Sequence, residues 1–346
     1  MKNRKQRKTI VITLVISLLI LLLSGCNNEV LSEKSTEAVT SLEESESVQP
    51  SESEEPASIV YMTTDISAEG LVKIYEALNW TPTGKVAVKL HTGEPPASNY
   101  LRAEFVKDLV QYVEGTIVEC NTAYSGSRRS TDMHMQVAKD HGFLDIADFE
   151  IQDADGSFTL TVTDGLHLEE NFVGASFPNY DSYIILSHFK GHGMAGFGGA
   201  IKNMSIGLAS DEGKSWIHSA GRFKYGLAGI QDHFLESMCE AGKSVVEYLG
   251  NGERIIYINV MNKLSADCDC NGNPEPAKMA DVGILASYDP VALDKACVDF
   301  VYEQKDGDAD VLVWRIETLN GLHTLEYGEE IGLGSQNYVI VSIDED

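Results

Sequence analysis

Basic side chains are scarce in this chain of 346 residues: 26 Lys and Arg stand against 53 Asp and Glu, a formal charge of −27. That balance excludes nucleic acid as a partner and excludes adhesion to anionic lipid by charge alone. Familiar catalytic loops are missing too. There is no Gly-x-Ser-x-Gly elbow, no Walker loop and no dinucleotide fingerprint after the first strand, so nicotinamide binding is not expected. Cysteines number six. The five beyond Cys26, at 120, 239, 268, 270 and 297, are odd in number and irregularly spaced, a poor disulfide framework. Cys-x-Cys neighbours rarely pair with each other, so Cys268 and Cys270 read as metal ligands or as partners of distant thiols such as Cys239 or Cys120. Cys120 and Cys297 lie in or beside apolar segments and read as buried hydrophobes.

The apolar run Ile10 to Leu23 is too short for a comfortable spanning helix. It follows a basic opening, MKNRKQRKTI, and precedes small residues, which is the pattern of an export signal. Leu23-Ser24-Gly25-Cys26 resembles a bacterial lipobox, and the resemblance implies cleavage before Cys26 and lipid on that residue. An uncleaved anchor and ordinary secretion are the alternatives. Residues 26–58 are rich in Glu and Ser and lack aromatics, so they bury too little apolar surface to order themselves and read as a disordered stalk. The expected organisation is a signal peptide over 1–25, an acidic linker over 26–58 and an α/β body over 59–346. The body would be lipid-anchored to the cell membrane on its extracytoplasmic face. Five basic residues fall in the signal, so 21 would remain against 53 acidic ones, a formal charge of −32.

Within the body, Lys85–Leu90 and Thr116–Glu119 read as strands. Between them, Ser98–Glu114 carries Leu101, Phe105, Leu109 and Val113 on one helical face. Ser130 or Thr131 caps a helix to about Asp140. A hairpin is expected from Phe158 to Leu168 around Asp164-Gly165. Later elements are a helix over 229–249, strands over 254–262 and 281–286, a helix from Pro290 to about Glu303, two short helices, and a closing strand over 338–343. Strands alternating with helices predict an α/β fold with a largely parallel or mixed central sheet and flanking helices.

The most informative stretch is LSHFKGHGMAGFGGAIKNMSIG, Leu186 to Gly207. A buried strand over 183–186 delivers Ser187, His188, Lys190 and His192 into a polar loop, and a glycine-dense turn opens a helix bearing Lys202 and Asn203. Open α/β sheets place their sites at such strand ends. Glycines admit close approach, and free N–H groups of a first helical turn favour an anion. Otherwise the glycines serve packing and the histidines are solvated.

Three further stretches extend this pattern: Arg129…Thr131…His134…His141-Gly142-Phe143, then DCDCNGNPEP…DVGILASYDPVALDKACVD, then GLHTLEYGEEIGLGS. With the central stretch, and in this order, the chain resembles the domain-of-unknown-function family 362, whose longer members are described as uncharacterised iron–sulfur-centre proteins. The resemblance implies a family rather than a reaction. Longer relatives carry a ferredoxin-like insertion of Cys-x2-Cys runs, whereas 207–261 here holds only Cys239. Ferredoxin-type 4Fe-4S clusters, which need about four thiolates each, are therefore not expected.

The candidate site combines these segments. Cys268 and Cys270 with His188 and His192 form a thiolate–imidazole set suited to zinc, iron, nickel or copper, with Asp269 as ligand or support. Lys190 is the expected acid/base, and Asp294 points towards the site. Arg129, Gly198, Gly199, Lys202 and Asn203 are expected to bind a small anionic molecule; Arg128 shares the loop of Arg129. Asp289 reads as a helix cap, and His141 as a helix-terminal cation. The expected function is that of a metal-dependent or redox-associated lipoprotein acting on a small anion. The alternatives are a non-catalytic metal- or ligand-binding surface lipoprotein, or a purely structural disulfide region.

Overall fold

The computed structural model describes residues 56–305 and 307–345. The expectations for 1–25 and Cys26, and all but the end of that for 26–58, lie outside the described residues. The chain opens with β1 (Ser58–Thr63) and α1 (Ala68–Ala77), then β2 (Val86–Lys89), α2 (Ala103–Tyr112), β3 (Thr116–Glu119), α3 (Thr131–Asp140) and β4 (Phe149–Ile151). A hairpin, β5 (Ser157–Thr161) and β6 (Glu170–Gly174), precedes β7 (Ser182–His188). Then come the ribbon β8 (Lys190–His192) and β9 (Gly196–Gly198), α4 (Ala200–Ser205), α5 (Asp211–His218) and α6 (Gln231–Tyr248). The last elements are β10 (Ile255–Met261), β11 (Gly283–Ser287), α7 (Pro290–Tyr302), α8 (Asp310–Thr318), α9 (His323–Glu330) and β12 (Tyr338–Ser342).

Eight strands form one sheet in the order β12-β1-β11-β10-β7-β2-β3-β4. Only β11 runs against the rest: it is antiparallel to both β1 and β10, and every other neighbouring pair is parallel. The apolar strands that alternate with helices thus give the mostly parallel sheet that the pattern predicts.

Strand periodicity divides the core in two. On β7, Tyr183 and Ile185 join one apolar cluster while Ile184 and Leu186 join the other. On β10, Ile255 and Tyr257 alternate likewise with Ile256 and Ile258. Successive side chains leave opposite faces of a strand, so a strand buried on both faces reads as an unbroken apolar run. Leu71, Val106 and Leu109 of α1 and α2 cover one face, and Met204, Leu235, Val291 and Ile316 of α4 and α6–α8 cover the other.

Two boundaries differ from expectation. Helix α2 begins at Ala103 rather than Ser98, because residues 98–102 form a loop that packs Tyr100 flat on His141 with ring centroids 4.3 Å apart. The polar loop after β7 is instead the β8–β9 ribbon. The hairpin is present with a longer connection, Thr161 pairing with Glu170 and Asp164 taking φ 54°. Asp289 caps α7 by accepting from the N–H groups of Val291 and Ala292. No helix among the described residues is long and apolar enough to cross a membrane.

Candidate functional site

A cavity of about 390 Å³ opens at the carboxyl ends of β2, β3 and β7. Five cations line it, Lys89, Arg128, Lys190, Lys202 and Lys214, with Glu119 as the one lining carboxylate. Four histidines, His91, His188, His192 and His218, complete its polar wall.

Three of the cations are neutralised by buried carboxylates. Lys89 donates to Glu119 Oε2 at 3.0 Å, to Asn203 Oδ1 at 3.0 Å and to the Leu90 carbonyl at 2.8 Å. Arg128 donates from Nε to Glu94 at 3.0 Å and from Nη2 to the Tyr124 hydroxyl at 2.7 Å. Lys190 lies 3.0 Å from Asp269. Burial alone would raise the Glu119 carboxyl, but Lys89, His134 and Arg128 outweigh it and hold Glu119 down to about 2. Asp269 is likewise held well below the carboxylate range, because His188 and Lys190 overcome its burial.

Two cations form no close ion pair with a carboxylate among the described residues, although the buried Asp153 acts on Lys214. The Lys214 ammonium donates to the Ala209 carbonyl at 2.5 Å. The Lys202 ammonium has no hydrogen bond or ion pair to protein among the described residues and is pushed down to about 7, first by burial and then by Lys190, Lys214, Lys89 and Arg128. Positive charge therefore gathers along an open pocket in an acidic protein, and low-dielectric walls concentrate that field.

The helix start behaves differently from the expectation of an anion cradle. Asp294 accepts from the N–H of Ala200 at 2.7 Å and of Ile201 at 3.0 Å, and from Asn259 Nδ2 at 2.7 Å. The first turn of α4 is thus capped from beneath by a buried carboxylate, and burial raises Asp294 to about 6. Asp294 does not line the cavity and holds the helix instead of meeting a ligand. Glycine is required at 199, where a Cβ would lie 2.1 Å from Asp294 Oδ1. Gly198 and Gly199 do line the cavity.

Other placements are also corrected. Arg129 is half exposed and pairs with Asp211 at 3.0 Å, leaving its neighbour Arg128 in the cavity wall. The 121–130 loop turns Arg128 inward because Glu94 accepts both from its guanidinium and from the Ser127 N–H. Lys190 is committed to Asp269, so among the described lysines that line the cavity Lys202 is the one whose ammonium makes no hydrogen bond. Asn203 bridges the strands, donating to the Lys89 and Leu186 carbonyls and to Ser187 Oγ. His141 sits at the end of α3 with its Nδ1 2.7 Å from the Thr92 carbonyl, and burial lowers its pKa.

The proposed metal set does not assemble as expected. Both nitrogens of His188 are engaged, Nδ1 at 3.0 Å from Asp269 and Nε2 at 2.6 Å from the Asn262 carbonyl. His192, Cys268 and Cys270 do converge, with donor atoms within 4.8 Å of one another. However, Cys268 and Cys270 form a disulfide, contrary to the expectation for Cys-x-Cys neighbours. A turn at 268–271 brings their Cα atoms to 5.2 Å, within the usual range for a bridge. His192 Nδ1 accepts from the N–H groups of Met194 and Ala195, both at 3.1 Å, so its proton sits on Nε2. A ligating histidine ordinarily donates from its second nitrogen. The set fits a metal only in the dithiol state and with the His192 tautomer reversed. The other thiols are separated and buried: Cys120, Cys239 and Cys297.

Several wall residues escape a sequence reading. Lys89 and Glu119 look like solvated strand ends, and His91, Lys214 and His218 stand in no motif. His218 donates from Nδ1 to the Lys214 carbonyl at 2.6 Å, stacks on Phe234 and is pushed down to about 3 by burial.

Fold and cavity together define an open α/β protein with a cationic pocket at the strand ends. The chain belongs to the family described as Domain of unknown function (DUF362), which matches residues 86–299. The lactate racemase apoprotein from Thermoanaerobacterium thermosaccharolyticum is similar at 14% identity and TM-score 0.41, over 71% of this chain and 57% of that one. A structural-genomics protein from Thermotoga maritima is similar at 14% identity and TM-score 0.42, over 67% and 57%. The chain thus spans a little over half the length of each. No curated protein matches the chain by sequence.

Proposed function

We propose that the cavity binds a small molecule carrying one or two negative charges, and that Lys202 exchanges a proton with it. The observation that carries this reading is the Lys202 ammonium, which faces the cavity beside Lys214 with no hydrogen bond or ion pair among the described residues. A buried cation without a counter-ion is costly, and a bound anion removes that cost. Lys202, near neutrality at about 7, can act as acid or base at physiological pH. The Nε2–H of His192 offers a neutral donor on the same wall.

The test is calorimetric titration with a panel of monocarboxylates, dicarboxylates and phosphate, alongside Lys202→Met and Lys214→Met. Binding to the parent, weakened about tenfold or more in each variant, supports the reading. No binding of any anion overturns it. Proton exchange at ligand carbon in D2O, followed by NMR, separates an acid/base catalyst from a receptor that binds without turnover.

A second reading is supported by the grouping of His192, Cys268 and Cys270: after reduction they would hold a zinc, iron or nickel ion against the same cavity. Metal analysis with and without a dithiol reductant decides between them. We also propose that the body works outside the cytoplasm on a lipid attached at Cys26, a reading supported by the basic opening, the apolar run and Leu23–Cys26. Incorporation of labelled fatty acid, lost in Cys26→Ser, tests it.

A further inference from the structure

Away from the cavity, three imidazoles and a carboxylate meet where α6, α9 and the β5–β6 connection come together. His233 and Glu236 are three apart on α6 and so share a face. His167, in the connection, has Nε2 2.5 Å from Glu236 Oε2. His323, the first residue of α9, has Nε2 2.9 Å from Glu236 Oε1. The rings of His167 and His233 lie 4.6 Å apart, and one donor atom each from His167, His233 and Glu236 fall within 4.8 Å of one another. Nδ1 of His233 is buried without a hydrogen-bond partner among the described residues.

We propose that His167, His233 and Glu236 form a binding site for a divalent transition-metal ion of the zinc class, with His323 holding the Glu236 carboxylate. Imidazole with one carboxylate is a donor set for zinc, cobalt or nickel, whereas magnesium and calcium take oxygen. Bonds of about 2.0–2.2 Å in a tetrahedron space the donors roughly 3.4 Å apart. The His167–Glu236 contact needs to open only slightly to admit the ion, and the orphaned nitrogen of His233 marks an unfilled polar position.

The support around the site is already rigid. Glu240, one turn beyond Glu236, accepts from the N–H groups of Leu166 and Leu168 at 2.9 Å and of His167 at 3.2 Å. It also accepts from the Tyr327 hydroxyl of α9 at 2.8 Å. One buried carboxylate thus fixes the backbone of His167 and the helix of His323 against α6, the preorganisation that a metal site requires. The ion would cross-brace the β5–β6 connection and α6, to which His323 ties α9 through Glu236, and the site is independent of the cavity and its sulfurs.

The test is titration of the full chain with cobalt(II), read by visible absorption. One equivalent should bind with ligand-field bands and no thiolate charge-transfer band, equally in the parent and in a Cys268→Ser/Cys270→Ser variant. Affinity should fall about 100-fold or more in His233→Ala and in the isosteric Glu236→Gln, with folding checked by circular dichroism. Should His233→Ala fail to fold, His167→Asn in the loop gives the same reading. The proposal is overturned if no cobalt binds, if the bound ion shows thiolate charge transfer that disappears in the serine variant, or if affinity survives both ligand substitutions.

Discussion

Lys190, in the cavity wall, lies 3.0 Å from Asp269, and the same carboxylate lies 3.0 Å from His188 Nδ1. The residue between the two cysteines is therefore an electrostatic anchor that ties the 262–282 connection to β7 and β8. Asp269→Asn would leave Lys190 buried and uncompensated. A loss of about 3–5 kcal/mol is expected in urea unfolding. A loss below about 1 kcal/mol would show that the pair is not the anchor described.

Lys202 should lower stability while it serves binding. Its folded pKa is about 7 against an ordinary 10.5, so between these values the unfolded chain holds the extra proton and stability rises with pH. Lys202→Met should therefore melt higher than the parent at pH 6, with the gap closing towards pH 10. The same variant should lose anion affinity. Equal melting temperatures at pH 6 would remove the argument that Lys202 is a strained cation.

Anion affinity should itself depend on pH. The charged form of Lys202 predominates below about 7, so binding should be strongest there and weaken as pH rises through that value, by up to about tenfold per unit. Calorimetry in buffers of different ionisation enthalpy should show proton uptake on binding near pH 8. A flat profile from pH 6 to 9 would place the proton elsewhere.

Thiol chemistry should divide sharply. Burial pushes the thiols of Cys120, Cys239 and Cys297 well above their ordinary range, so they should resist a thiol reagent in the folded protein. A dithiol reductant should release about two reactive thiols, from Cys268 and Cys270. A bridge closing so short a loop contributes only about 1.5 kcal/mol by chain entropy, so the double serine variant should lose little stability. Loss of folding in that variant would make the bridge architectural.

The sheet was readable because its central strands are apolar on both faces: the runs that became β7 and β10 allow no other packing, and Asp289 before Pro290 announces its helix. The cavity was readable only where motifs cluster. Arg128 and Arg129 are adjacent, and nothing local decides which turns inward; Glu94, across the cavity wall, does. Lys190 stood out between two histidines, yet its partner Asp269 belongs to a distant segment, and pairing decides which lysine stays free. Asp294 carries no visible sign that it will cap a helix formed some ninety residues earlier. The bridge between Cys268 and Cys270 depends on a turn that apolar periodicity does not report. Such features arise from contacts remote in sequence, and single-chain patterns encode local ones.

The one reversed strand has a consequence for how this family can diversify. Because β11 runs back alongside β10, the chain from 262 to 282 leaves and re-enters the sheet at the same end, and it need not cross to the far edge. A parallel strand there would require a return crossover, and a segment rebuilt in length would drag the sheet with it. As built, this connection, which brings Cys268 and Cys270 to the cavity, can lengthen or shorten while the strands beneath keep their register.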